Sequence, residues 1–318
     1  MTTLRDILPS DYERLAAISA AIDPADSRGL EWFRERDARR SPQLRLYRLV
    51  AERDGLVVGW GEVGQGWWAY HPRKFYLRLN VDPEFQRQGV GSCLYTALID
   101  HVCANWNPSR VSAEASELRP WSCAFLEHRG FQEVQRRWDA ALQVAEARLD
   151  RLPAAIRRVA DSGVRITTVE QERTVRGDQF DQDLYAVEQR IYLDEPGYDP
   201  EGSLQFDQFR DFELNPKTRV DAGSFLALDG TRLVGVSRLR RDARGEGILH
   251  VGFTGVEAEY RGRGIALALK LLTLEYARDA GFLEIRTEND STNAPMLHIN
   301  LELGFRLEPA SLIFHKKF

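Results

Sequence analysis

The chain repeats itself at an interval of about 175 residues, and that interval limits its architecture more than any other property. Gln86 and Arg261 are 175 apart (261 − 86), Gly89 and Gly264 are 175 apart (264 − 89), and Gly130-Phe131 and Gly304-Phe305 are 174 apart (304 − 130). Within each half the loop glycine precedes the Gly-Phe pair by 41 (130 − 89) and 40 (304 − 264) residues. Two copies in nearly constant register mean a duplicated domain. At 318 residues, each copy has room for its own core.

Hydrophobic periodicity gives both copies the same order of elements. In the first, alternating strands span 46–52, 56–62 and 75–81, a helix follows the loop with Val90, Leu94, Leu98 and Val102 on one face, and a strand (110–115) and a helix (120–128) lead to Gly130-Phe131, which starts a strand pair running to about Val144. Residues 146–163, rich in Arg, Asp and Ala, read as a helical linker. The second copy restarts at Val164: helices over 180–192 and 204–214, a hairpin about Asp229-Gly230, a strand over 247–256, a helix over 265–280, a strand over 283–287 and a helix over 294–303. The expected layout is an N-terminal domain (1–145), the linker (146–163) and a C-terminal domain (164–318), both α/β.

The segments most charged with chemistry are Gln86-Arg87-Gln88-Gly89-Val90-Gly91-Ser92 and Arg261-Gly262-Arg263-Gly264-Ile265-Ala266, each between a strand and a helix. A glycine-rich turn entering a helix aims several backbone N–H groups at one point, and the helix N-terminus adds positive potential. Such a turn is a site for a phosphate or diphosphate.

These loops, Gln86-x-x-Gly89-x-Gly91 and Arg261-x-x-Gly264-x-Ala266, resemble the Q/R-x-x-G-x-G/A loop of the GCN5-related N-acetyltransferases (GNAT). Val81-Asp-Pro and Val256-Glu-Ala precede them by five residues, and Asn293-Ala-Pro-Met296 through Gly304-Phe305 is similar to the family's second core motif. The resemblance covers both halves apart from the linker. It implies two tandem domains, each a mixed, mostly antiparallel twisted sheet with flanking helices and a splayed pair of parallel strands. It implies acetyl-CoA as cofactor, its diphosphate on the loop amides, with Leu79, Asn80, Val81 and Thr254, Gly255, Val256 along the pantetheine, and Asn293 at the second motif. The family's amine attacks the thioester directly, with one strand N–H polarising the carbonyl. The tyrosine that in many members protonates the leaving thiolate is matched by Asn300 in the second half and Leu126 in the first, and Asn293 is matched by Arg119. The second half is therefore expected to catalyse, with Asn300 as a thiolate partner or cofactor contact, or else in a packing role.

Glu246, His250 and Thr254 fall at even positions on the strand before the second loop, hence on one face. An imidazole there suits a base, whereas a half-buried structural histidine is the plain alternative. Glu195 and Tyr198, or Trp67, Trp68 and Tyr70, could line an acceptor groove; a solvated loop and hairpin packing are the plainer readings. Six histidines without paired spacing suggest no metal.

The acceptor is expected to be a small-molecule amine, and the protein a monomer or homodimer with neither nucleic-acid nor membrane partner, since the net charge is −5 and no apolar run is long enough to span a bilayer. Three cysteines without C-x-x-C spacing and an N-terminus without an apolar leader point to the cytoplasm. A non-catalytic acyl-CoA-binding protein is the alternative function. A dinucleotide oxidoreductase is a weaker one, because Leu94 and Leu269 stand where its third glycine would be.

Overall fold

A computed structural model describes residues 1–24, 29–66, 70–194, 205–242 and 245–318. The chain divides into two compact units, Met1–Val134 with Leu312–Phe318, and Gln135–Ser311.

In unit 1, β1 (Thr3–Asp6), α1 (Tyr12–Ile22) and α2 (Leu30–Arg39) precede a meander of β2 (Leu46–Arg53), β3 (Leu56–Gly64) and β4 (Lys74–Val81). Then come α3 (Val90–Trp106), β5 (Arg110–Ser116) and α4 (Pro120–Glu127). The pairs β1–β2, β2–β3 and β3–β4 are antiparallel, and β4–β5 is parallel. Tyr12, Leu15, Ile18 and Phe33 from α1 and α2 pack on Val50, Val57 and Trp60 of the sheet.

The expected strand pair after Gly130-Phe131 is one long strand, β6 (Gln132–Gln143). No glycine or proline interrupts it, so nothing turns the chain back. After β6 come α5 (Leu152–Asp161), β7 (Arg165–Thr168), α6 (Val169–Arg176), α7 (Phe180–Tyr192) and α8 (Phe206–Phe212). The repeat then closes with β8 (Phe225–Asp229), β9 (Arg232–Arg241), β10 (Ile248–Val256), α9 (Ile265–Asp279), β11 (Glu284–Asp290), α10 (Ala294–Leu303) and β12 (Arg306–Lys317). The sequence reading missed α6. Its signal is a capping box, in which Thr168 accepts from the Gln171 N–H and Gln171 accepts from the Thr168 N–H.

Unit 2 repeats the strand order of unit 1, β7-β8-β9-β10-β11, with only β10–β11 parallel, and β6 lies antiparallel to β11 from Arg137 to Gln143. In unit 1 the corresponding place beside β5 belongs to β12, whose residues from Leu312 are part of that unit. The compact units therefore differ from the boundaries 1–145 and 164–318: the last strand of each repeat serves the sheet of the other. Nor is the 146–163 stretch a bare connector. Leu152, Ala155 and Val159 of α5 are buried with Leu269 and Leu274 of α9 and with Leu249, Val251 and Ile285 of the sheet. The opposite face is covered by Phe180, Leu184 and Val187 of α7 and Phe209 of α8. No helix among the described residues is long and apolar enough to cross a membrane.

Candidate functional site

In both units the parallel strands part at the same place. Rungs between β4 and β5 run from Lys74–Arg110 to Leu77–Ala113 and stop; those between β10 and β11 run from Ile248–Glu284 to Val251–Thr287 and stop. Beyond that point β4 stays paired with β3 as far as Val81, and β10 with β9 as far as Val256. Leu79, Asn80, Val81 and Thr254, Gly255, Val256 thus turn one edge toward a gap where backbone groups can meet a ligand. On β10 the parting coincides with a bulge between Val251 and Phe253, a device that bends a strand and ends regular pairing. A Cβ on Gly255 would stand 2.5 Å from Ile191 Cγ2 and 3.0 Å from the Phe253 ring. Gly255→Ala is therefore expected to cost about 1–3 kcal/mol, as overpacking usually does, measured as a lower denaturation midpoint. An unchanged midpoint would mean that Ile191 gives way.

The two loops share a backbone. Gly89 and Gly264 both have φ +84°, and two positions earlier Arg87 (φ 61°) and Gly262 (φ +76°) are also left-handed. Glycine takes this conformation freely, and an arginine there is strained. The first intrahelical bonds are Cys93 N–H to Gly89 C=O and Ala268 N–H to Gly264 C=O. The N–H groups of Val90, Gly91 and Ser92, and of Ile265, Ala266 and Leu267, accordingly have no acceptor in their helices, and no side chain caps either helix.

Most of the conspicuous side chains of the loops make hydrogen bonds that brace them. Gln86 Nε2 donates to Val81 O (3.0 Å), and Arg261 Nε donates to the equivalent Val256 O (3.1 Å). Arg261 also reaches Asp194 at 3.3 Å, and Arg263 donates to Glu259 O at 3.0 Å. Gln88 is held by Arg53, and Ser92 Oγ accepts from Arg129 at 2.7 Å. Sequence reading did not find Arg158. From α5 it donates to Gly262 O at 2.7 Å, and its Cδ lies 3.2 Å from where a Cβ on Gly264 would stand. Such a contact between distant segments leaves no local signal.

The expected face of Glu246, His250 and Thr254 does not form. Glu246 is exposed in a turn that precedes β10. The bulge at Gly252 puts His250 opposite Arg240 and Thr254 opposite Ser237 on β9, three residues apart and hence on opposite faces. Thr254 Oγ1 lies 3.0 Å from Ser237 Oγ, on the side of α9, where Thr273 meets Ser237. His250 is buried, its Nε2 3.9 Å from Glu288 Oε1. Asn293 caps α10 by accepting from Met296 N–H (3.3 Å), and the side chain of Arg119 in its place caps nothing on α4. Asn300 is fully buried and donates to Asn289. Tyr70 is exposed, while Glu195, Tyr198, Trp67 and Trp68 lie outside the described residues.

Facing α2, the sheet of unit 1 buries Glu62 between Arg36 (2.8 Å) and Arg78 (3.0 Å), and Arg36 also meets Tyr76 Oη at 2.8 Å. Burial pushes Glu62 upward, but the two guanidinium groups outweigh it and hold the carboxyl below its usual range. Counting from the equivalent rungs Gly59–Val81 and Gly235–Val256, the place of Glu62 belongs to Arg238 in unit 2. There the charge is reversed: Arg238 is buried between Glu188 of α7 (3.0 Å) and Glu213 (3.1 Å). Burial alone would lower Arg238, yet Glu188 and Glu213 hold it above the usual range. The corresponding surfaces of the two units thus differ in the sign of their central charge.

Residues 3–131 and 182–305 match the model of the Acetyltransferase (GNAT) family. Among curated proteins, the chain is similar to the mycothiol acetyltransferase of Catenulispora acidiphila, 26% identical over 238 residues (74% of this chain, 70% of that protein). It is likewise similar to that of Actinosynnema mirum, 26% identical over 259 residues (81% and 79%). Among solved structures it shares its fold with a GCN5-related N-acetyltransferase from Sphaerobacter thermophilus (18% identity, TM-score 0.71, 99% of this chain and 95% of that one). A tandem GNAT protein from the clavulanic acid biosynthesis pathway is similar too (18% identity, TM-score 0.70, 100% and 98%).

Proposed function

We propose that this chain, which belongs to the acetyltransferase (GNAT) family, passes an acetyl group from acetyl-CoA to the amine of a small molecule, with the chemistry in unit 2. It is an acyltransferase built of tandem GNAT domains. The observation that carries the finer reading is the junction of β10 and α9. An open strand edge at Thr254–Val256 runs straight into a left-handed glycine turn and an uncapped helix N-terminus. The amides of Ile265, Ala266 and Leu267 fit a diphosphate, and the edge fits a pantetheine chain. When bound, acetyl-CoA supplies the activated thioester. A backbone N–H of the open edge would polarise its carbonyl; the acceptor nitrogen would bond to that carbon as the carbon–sulfur bond breaks, and the second proton shed by the nitrogen would leave with the thiolate as the free thiol. The acceptor must first lose its ammonium proton, and His250, near Glu288, is the base we retain; Glu246 is not. Names of the curated relatives support a small-molecule acceptor. Three cysteines without C-x-x-C spacing, Cys93, Cys103 and Cys123, support a reducing, cytoplasmic setting.

Calorimetric titration with acetyl-CoA, together with thiol release across a panel of small amines, tests this reading. Saturable binding and amine-dependent thiol release are expected. Binding without turnover on any amine would favour a non-catalytic acyl-CoA-binding protein, which the absence of an acid at Asn300 and Leu126 makes the second reading. Absence of binding would remove the coenzyme from the proposal.

A further inference from the structure

Asn289 on β11 and Asn300 on α10 are 3% and 0% exposed, and the Asn300 amide donates to Asn289 Oδ1. That one bond leaves Asn289 Nδ2 and Asn300 Oδ1 buried without a hydrogen-bond partner. Turning both amides over exchanges the roles but always leaves one N–H and one C=O. Buried amide groups without partners oppose folding, so packing gives no reason to keep them.

The repeat provides an internal comparison. The places of Asn289 and Asn300 in unit 1 belong to Ala115 and Leu126, each 174 residues earlier (289 − 115; 300 − 126). Both are buried, and β5 and α4 form around them as β11 and α10 do around the asparagines. The architecture is thus complete with an apolar pair, and the polar pair is peculiar to unit 2. Its position is equally specific. Asn289 lies two residues beyond Thr287, the last rung with β10, where β11 borders the gap between the parted strands.

We propose that Asn289 and Asn300 form a ligand-binding pair in unit 2, holding one secondary amide of the pantetheine arm of acyl-coenzyme A. The ligand C=O accepts from Asn289 Nδ2 and the ligand N–H donates to Asn300 Oδ1. This rests on the coenzyme reading above. A secondary amide carries one donor and one acceptor, the complement of what the pair leaves open; a diphosphate offers acceptors only, and a thioester has no donor.

The test copies unit 1 into unit 2 with the double variant Asn289→Ala/Asn300→Leu, in a Gly91→Asp background that closes the first loop to anions. The probes are coenzyme A, desulfo-coenzyme A and adenosine bisphosphate, which lacks the pantetheine arm. The double variant is expected to melt at a higher temperature, to bind the first two probes about tenfold more weakly or worse, by equal factors, and to bind the third unchanged. Undiminished binding of coenzyme A would make the pair a packing feature and overturn the proposal. A loss for coenzyme A but not for its desulfo form would move the contact to sulfur and overturn the amide assignment. In the unmutated protein, the side-chain amide NMR signals of both asparagines should shift with coenzyme A and not with adenosine bisphosphate; fixed signals overturn the proposal even if the double variant does not fold. Unmutated protein that binds no coenzyme A identifies a failure of the coenzyme reading itself.

Discussion

Ala266→Asp is expected to weaken acetyl-CoA binding at the second loop by several hundredfold while leaving the fold intact. Ala266 is the second residue of α9 and half-buried, in the turn whose N–H groups have no acceptor in the helix. An aspartate there suits the helix, since a carboxylate at an N-terminus is favourable by about 0.3–1 kcal/mol. It does not suit an incoming diphosphate. Two unit charges about 4 Å apart repel by about 4 kcal/mol at an effective dielectric constant of ~20, which is close to three decades in affinity. Gly91→Asp is the same change in unit 1, where a Cβ would meet the Phe125 ring at 3.5 Å, an ordinary contact. Titration of the two variants therefore separates the units. If unit 2 catalyses, amine-dependent thiol release disappears with Ala266→Asp and survives Gly91→Asp. Retained turnover in Ala266→Asp, at unchanged melting temperature, would place the chemistry in unit 1 or deny the loop its role.

The loops were legible because their requirement is local. A left-handed turn before a helix asks for glycine, and Gly89, Gly262 and Gly264 answer it in the sequence. The repeat was legible for the same reason, since two identical demands stand at one interval. The face of β10 was not. Parity assigns Glu246, His250 and Thr254 to one side only if the strand is regular, and the bulge at Gly252 breaks it; the isolated glycine within the strand pattern was the one local sign of that bulge. The exchange of β6 and β12 between units was also hidden, because an uninterrupted strand looks the same whichever sheet it joins. The Asn289–Asn300 contact sits between the two: Asn300 stood out by its place in the motif, but its partner on β11 is a matter of tertiary structure.

Lys270→Met should stabilise the protein by about 4 kcal/mol at pH 7, an effect that shrinks as the pH rises. Lys270 on α9 is 2% exposed, and burial pushes its ammonium down to about 7 from the ordinary 10.5. Its Nζ lies 5.5 Å from the centroid of the Phe305 ring, a contact worth about 0.5–2 kcal/mol. That is less than desolvation of an ammonium group costs. The equivalent position in unit 1 is Tyr95, which accepts from Lys316 Nζ at 3.0 Å, so there the cation near the Gly-Phe aromatic is hydrogen-bonded and less buried. Because the folded value lies below the unfolded one, folding releases a proton between pH 7 and 10.5. The destabilisation is complete below the folded value, at about 5 kcal/mol, and falls as pH rises toward the unfolded value. The advantage of Lys270→Met, read from denaturant midpoints, is thus expected to drop from about 4 kcal/mol at pH 7 to about 2 kcal/mol at pH 9. A pH-independent gain would mean the amine is never desolvated. A loss of stability at pH 7 would mean that Lys270 is paired in solution, which would make it a ligand for an anionic group in unit 2.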